Sequence, residues 1–390
     1  MKKYNWHYLF RLSLLTAALL LQSCFSSSPP EPIVYYPEVA DVGRVSLDKS
    51  AEDDDNIYLD VGISVFTNTY NETETETYGE WIFTEIRDNE RHYLPYLLRD
   101  TLLESGQWGA VRVLPQSDPS VDLIVTGNIL FSDGTRLVME VEARDSTGQV
   151  WLSATYGDSA VGPDYPDSYR LRAASQLERE DLQEPFQDIY NQIANDLLIA
   201  REAMTDDQLL NVQRVSQLVY ANDLAPDSFS HTLRTDENGL LAVNTLPAED
   251  DPMLDRVLEM QRRHHLFIDT VDEYYKALFD EMQASYLVWR RYAYDQDNEL
   301  EFSTNNDADQ SLFSSTNTTL TLIQRYNRYR WAKIYEQEFL ELATGFNQEL
   351  APQILELNRN VHGLSGTMEE QYLQWRRILR QLFELETGEA

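Results

Sequence analysis

The run LLRDTLLESGQWGAVRVLP, Leu97 to Pro115, changes its period halfway along. Leu97, Leu98, Thr101, Leu102 and Ser105 recur at helical spacing, mostly on one side. Pro95 suits a first helical position and Gly106 is a natural stop, which predicts a helix over 95–105. Val111-Arg112-Val113-Leu114 then reads as a short strand, and VDLIVTGNILF, 121–131, as a longer apolar one. Ser132-Asp133-Gly134-Thr135 is a turn, after which Leu137, Met139, Val141 and Ala143 alternate over 136–144. A second turn, Asp145-Ser146-Thr147-Gly148, leads into a strand from Val150 to Tyr156. These three strands form a meander joined by short Asp/Gly turns. Upstream, Ile57 to Phe66 is β-branched and aromatic and reads as another strand; the mostly polar 67–80 after it reads as an exposed insertion. Strand, helix, strand and meander predict an α+β sandwich with one sheet face covered by helix.

Three segments carry a resemblance: LLRDTLLESGQWGAVRVLP, VDLIVTGNIL and LVMEVEARDSTGQVWL. They are similar to the amino-terminal domain of TolB, a unit also found in CsgG and in lipoproteins of the LpoB type. The shared pattern is a helix ending at a Gly-x-Trp step, a strand opening on Asp122 and passing through Gly127, and a hairpin around Asp145, Thr147 and Gly148. The resemblance covers about a quarter of the chain, 56–165, and implies a fold, since each of these residues is of a structural kind. Gly127 suits a strand that passes close to a neighbour.

The amino terminus reads as an address. Lys2, Lys3 and Arg11 precede an apolar run, Leu12 to Leu21, too short to span a bilayer, which takes roughly 20 apolar residues. Leu21-Gln22-Ser23-Cys24 resembles a bacterial lipobox, with Gln22 a departure from the pattern. The resemblance implies cleavage of a signal peptide, 1–23, and lipid (palmitate among its chains) on Cys24, the single cysteine. Phe25 is not the aspartate that retains such proteins at the inner membrane, so the outer membrane is the implied home, facing the periplasm, with surface orientation left open. Residues 24–55, rich in Ser and Pro and ending in Glu52-Asp53-Asp54-Asp55, read as a disordered tether.

The net charge is −35, and about −38 without the signal. Such a chain repels phosphate backbones and makes nucleic acid an unsuitable partner. Beyond residue 166 the strand patterns stop, and 166–390 reads as an all-α domain. Phe186 to Met204 is one helix; Thr205 caps another through Tyr220. Two long apolar stripes come next. Leu254, Val257, Ile268, Val271, Tyr275, Leu278, Met282, Trp289 and Tyr292 form the first, and Trp331, Tyr335, Phe339, Leu342, Phe346, Leu350, Ile354, Leu357 and Val361 the second. With the polar stretch 298–316 as a loop they predict an antiparallel hairpin over 251–361, each arm ~60 Å long. Pro352 should kink or end the second arm. Thr367-Met368-Glu369-Glu370 matches a capping box and opens a last helix to Leu385.

The chain has no GxSxG, GxGxxG, P-loop or HExxH pattern. His92, His231, His264, His265 and His362 are the histidines of the mature chain; His264 falls on an apolar stripe and reads as a satisfied core residue. Asp295-Gln296-Asp297-Asn298-Glu299 hints at a calcium loop, but Leu300 stands where the glycine belongs and Asn306 where the closing glutamate belongs. No catalytic, cofactor or metal residue is assigned; Cys24, as a lipidation site, is the one site residue.

The reading is therefore a non-catalytic, lipid-anchored envelope protein, a scaffold or regulator of another envelope protein in the periplasm, with self-association left open. The alternatives are an enzyme acting on an envelope polysaccharide such as peptidoglycan, using carboxylates in a cleft between the two domains, and an accessory of lipid or lipopolysaccharide transport.

Overall fold

The computed structural model describes residues 39–49, 56–69, 84–118, 121–165, 184–248, 250–306, 354–357, 360–363 and 368–387. The leader, Cys24, Asp53-Asp54-Asp55, most of the 67–80 insertion and the second long stripe up to Leu350 lie outside these residues.

The fold is α+β. Its sheet contains β1 (Val61–Ser64), β2 (Thr67–Asn68), β3 (Val111–Leu114), β4 (Leu123–Ser132), β5 (Arg136–Asp145) and β6 (Val150–Ser159). The order is β3-β1-β4-β5-β6, with β2 beside β4. β1 runs parallel to β3 and β4, whereas β4, β5 and β6 form the expected antiparallel meander. Strand alternation decides the faces. Leu137, Met139, Val141 and Ala143 are fully buried on one side of β5, while Glu140 and Arg144 on the other meet solvent. Across the ladder Val125 faces Ala143, Gly127 faces Val141 and Ile129 faces Met139.

The expected strand from Ile57 to Phe66 is reduced to Val61–Ser64, and beyond its end Phe66 leaves the ladder for a helix. That helix, α1, spans Thr84–Ser105, and Pro95 lies inside it and not at its start. Pro95 has no amide to donate to the Arg91 carbonyl one turn back. The Phe66 amide takes that place, donating to the Arg91 carbonyl at 3.0 Å, and the Arg91 Nε donates back to the Phe66 carbonyl at 3.0 Å. The Phe66 ring then lies on Gly127, where a Cβ would come within 2.6 Å of it. This is the close approach expected of Gly127. Gly106 ends α1 at φ +66°, a left-handed value that glycine adopts without strain.

α2 (Gln187–Glu202) buries Ile189, Tyr190, Ile193 and Leu197 and packs on β6 and α1. Its other side corrects the reading of 24–55 as a wholly disordered tether, because residues 39–49 are held in place. Asp41 bridges Gly157 on the outer edge of β6, and the Val42 amide donates to the Gly157 carbonyl at 2.9 Å. Asp188, Asn191 and Asn195, on one side of α2, take up the backbone of Val45, Ser46 and Asp48 at 2.8–2.9 Å. Val42 and Leu47 pack against the core. The strap covers a sheet edge that would otherwise be open for pairing.

α3 (Asp206–Leu224) starts at the expected Thr205 cap, whose hydroxyl and Gln208 form a capping box. After the short α4 (Pro226–Phe229), β7 (Leu233–Thr235) and β8 (Leu241–Val243) make a hairpin about Asp236 and Gly239. Residues 166–390 are thus not all-α. Next, α5 (Pro252–Asn306) runs for 55 residues, about 80 Å. It passes straight through Asp295 to Glu299 and through the start of the expected 298–316 loop, so the calcium-loop hint falls on helical backbone. Ile354, Leu357 and Val361, expected at the end of a second helical arm, lie in β9 (Ile354–Leu357) and β10 (Asn360–Gly363), an antiparallel pair. Among the described residues both α3 and α6 (Met368–Thr387) pack on α5. Glu386 meets Arg256 and Arg263, Trp375 stacks on Phe267 at 5.0 Å, and Tyr372 meets His264. One apolar cluster runs unbroken from Leu59 to Phe383 through sheet and helices. No described helix is long and apolar enough to cross a membrane.

Candidate functional site

β1 and β4 enter the sheet side by side, Val61 opposite Leu123, and an aspartate stands before each. The Asp60 amide donates to Asp122 Oδ2 at 2.9 Å, and the Leu123 amide donates to the Asp60 carbonyl at 3.1 Å. Asp60 Oδ1 accepts the Ala110 amide at 2.8 Å, and Arg112 Nη1 donates to Asp60 Oδ2 at 3.4 Å. Asp122 Oδ1 accepts the Ser216 hydroxyl at 2.5 Å. The two carboxylates thereby tie together the entries of β1, β3 and β4 and the middle of α3.

Above them opens a polar pocket of about 270 Å³. Its floor is Asp60, Val121 and Asp122; α3 lends Gln213, Ser216 and Gln217, and α5 lends Gln261, Arg262 and His265. Burial raises the Asp122 pKa, opposed by the hydrogen bonds from Ser216 and Asp60. Burial, then the Arg112 charge, lowers that of His265, which keeps the imidazole neutral at neutral pH. Burial works against the Arg112 cation, but Asp269, gripping Nε at 2.6 Å and Nη2 at 3.3 Å, and Asp60 outweigh it. Gln217, Gln261 and His265 make no side-chain hydrogen bond to a described residue. Here both oxygens of Asp122 and both of Asp60 are engaged in holding the fold, so protonation of Asp122 would compete with its contacts to backbone and Ser216.

His264 is buried, as its place on the apolar stripe implies, but it is not hydrogen-bonded. Neither ring nitrogen has a partner. The ring lies between Tyr220 at 5.8 Å and Tyr372 at 5.3 Å, and burial lowers its pKa to about 3. Alongside, the buried Asp118 accepts the Tyr372 hydroxyl at 2.7 Å and Arg376 Nη1 at 2.9 Å, tying α6 to the turn after β3. His92 meets Glu369 of α6 at 3.2 Å. His362 lies on β10. Among the described residues no three His, Cys, Asp or Glu side chains form a group that could hold a metal.

A third polar cluster had no signal in the sequence. Arg290 of α5 is fully buried. Its Nη2 donates to Glu90 Oε1 at 3.0 Å and to the Ser132 hydroxyl at 2.9 Å, its Nε to the Tyr286 hydroxyl at 2.7 Å, and its Nη1 to the Asp133 carbonyl at 2.5 Å. The guanidinium lies 4.7 Å from the Phe186 ring. Nearby Glu184 is buried with neither oxygen accepting a well-formed hydrogen bond. Burial pushes it up to about 7 against the pull of Arg290. Asp145, Thr147 and Gly148 shape a turn, as expected: Asp145 Oδ1 accepts the amides of Thr147 and Gln149, Oδ2 accepts the Trp151 indole at 2.8 Å, and Gly148 adopts φ +94°.

No protein family and no curated protein matches this chain. Solved structures similar to part of it include the following two. A PelC dodecamer from Paraburkholderia phytofirmans matches 36% of this chain and 88% of its own at 15% identity and a TM-score of 0.23. The hypothetical protein CT253 from Chlamydia trachomatis matches 37% of this chain and 96% of its own at 10% identity and a TM-score of 0.24.

Proposed function

We propose that this protein is a non-catalytic, lipid-anchored component of the cell envelope that binds another envelope protein in the periplasm. The observation that carries the reading is the use made of the pocket carboxylates: all four oxygens of Asp60 and Asp122 accept hydrogen bonds that organise strand entries. The lipobox at Cys24 and the Ser/Pro-rich stretch after it support an outer-membrane anchor through acyl chains. Strand, helix, strand and meander, with the Asp145 turn and the Gly127 close approach, support a TolB amino-terminal/CsgG-like sandwich at 56–165. The second apolar stripe from Trp331 to Leu350 supports a further helical partner for α5.

The test has two arms in living cells. Cys24→Ser should release the protein from the membrane fraction. Photo-crosslinkers at Leu103 on α1 and Leu266 on α5, both exposed, should capture one dominant envelope protein from one of the two positions. Retention of the Cys24→Ser protein on the membrane sinks the anchor, and glycan or lipid adducts alone sink the scaffold. A second reading, hydrolysis of an envelope polysaccharide, is favoured by the raised Asp122 in a pocket. It requires that Asp122→Asn abolish glycan cleavage by a protein that still folds.

A further inference from the structure

We propose that the pocket between the β1 and β4 entries, α3 and α5 binds an uncharged, hydroxyl-rich ligand about the size of one sugar ring. The proposal rests on the pocket alone and stands independently of the anchored-scaffold reading.

Three features of the lining select this chemistry. The first is unused hydrogen-bonding capacity. The exposed Gln217 and half-buried Gln261 amides and the half-buried His265 imidazole line the pocket without a protein partner among the described residues, so a ligand can take the place of water on them. Two amides offer donors and acceptors together, and a neutral imidazole offers one of each. That mixed set matches hydroxyl groups, which also donate and accept at once. The second feature is charge. Asp60 and Asp122 form the floor and Arg262 stands at the rim. Asp60 is offset by Arg112 and Arg112 also by Asp269, so no surplus positive charge faces the opening. A phosphate or carboxylate would meet two carboxylates, and an apolar ligand would find only Val121 among the lining residues. The third is size. At about 30 Å³ per water, 270 Å³ holds roughly nine waters, comparable to one six-membered sugar ring and its hydroxyls. No aromatic ring other than His265 lines the pocket, so affinity comes from hydrogen bonds and is expected in the millimolar range.

The experiment uses the full-length chain in a detergent without a sugar headgroup. Saturation-transfer NMR is recorded with glucose, N-acetylglucosamine and glycerol as probes and inorganic phosphate as competitor. Long-range nitrogen NMR tracks the His265 ring in parallel. The expected result is transfer to at least one sugar, a shift of the His265 nitrogens on its addition, and no displacement by phosphate. Gln261→Leu and His265→Phe, each checked for unchanged thermal unfolding, should weaken binding by about fivefold or more. No transfer from any probe, transfer that persists undiminished in both variants, or displacement by phosphate overturns the proposal. If one variant fails to fold, the other and the His265 shift decide.

Discussion

The turn aspartates of the meander and the polar groups of the long helix find their partners in different ways. At the two turns, partners lie a few residues apart. Asp145 is satisfied by Thr147, Gln149 and Trp151, and Asp133 by Thr135 and Arg136. Along α5, Tyr286 apart, the partners of Arg290 lie far away in sequence, and His264 has none. Arg290 reaches Glu90, Ser132 and Asp133 across some 157 to 200 residues. Polar groups paired within a turn form with the turn and depend on little else. Polar groups paired across the fold depend on every element that seats the helix, and they concentrate the molecule's sensitivity to pH.

The largest break in this contrast is expected at Arg290. Arg290→Met leaves Glu90 buried opposite an apolar side chain and should cost about 3–5 kcal/mol in urea unfolding. Adding Glu90→Gln should return more than half of it. A smaller loss than that of a turn variant would contradict the contrast.

His264 comes next. Its folded pKa is depressed to about 3 from an ordinary 6.5, so the unfolded chain binds the extra proton. Stability should fall as pH drops below 6.5, by roughly 4 kcal/mol near pH 3. His264→Phe, keeping a ring between Tyr220 and Tyr372, should flatten that limb in a series of unfolding curves against pH.

Glu184 acts in the other direction. Its folded pKa is raised from 4.5 to about 7, so the folded state holds the proton longer. Stability should fall as pH rises from 4.5 to 7, by about 3 kcal/mol. Glu184→Gln should remove this loss. Between pH 4.5 and 6.5 the two groups oppose one another, so each single variant should expose the slope due to the other.

The smallest effect is expected in the turn. Asp145→Ala leaves the Trp151 indole and two amides without their acceptor and should cost about 2 kcal/mol in urea unfolding. A loss as large as that of Arg290→Met would erase the distinction between the two regions.

Legibility in the sequence divides along the same line. The alternating residues of β5, the turns at Asp133 and Asp145, the Gly106 stop, the Thr205 cap and the start of α6 are local in origin and can be read from spacing and turn chemistry. The start of α1 cannot, because Pro95 is tolerated inside the helix only through the Phe66 amide, a contact no local rule contains. The strap at 39–49 has a tether's composition, and only the row Asp188, Asn191 and Asn195 on α2 holds it. The α5 stripe predicts burial of Val257, Ile268, Met282 and Trp289 but not of Phe279 and Tyr286, which meet Tyr93 at 4.6 and 4.2 Å.

The sequence by itself determined the α+β class, the meander with its turns, and the helical character of most of the chain from α2 through α5, because hydrophobic period and turn chemistry act over a few residues. Tertiary structure alone decided that α6 lies along α5, that Arg290 sits at the centre of the core, and that Asp60, Asp122, Gln261 and His265 line one pocket. Those outcomes depend on which distant surfaces pack together, and burial and charge pairing between segments far apart in the chain leave no mark in the spacing of either segment.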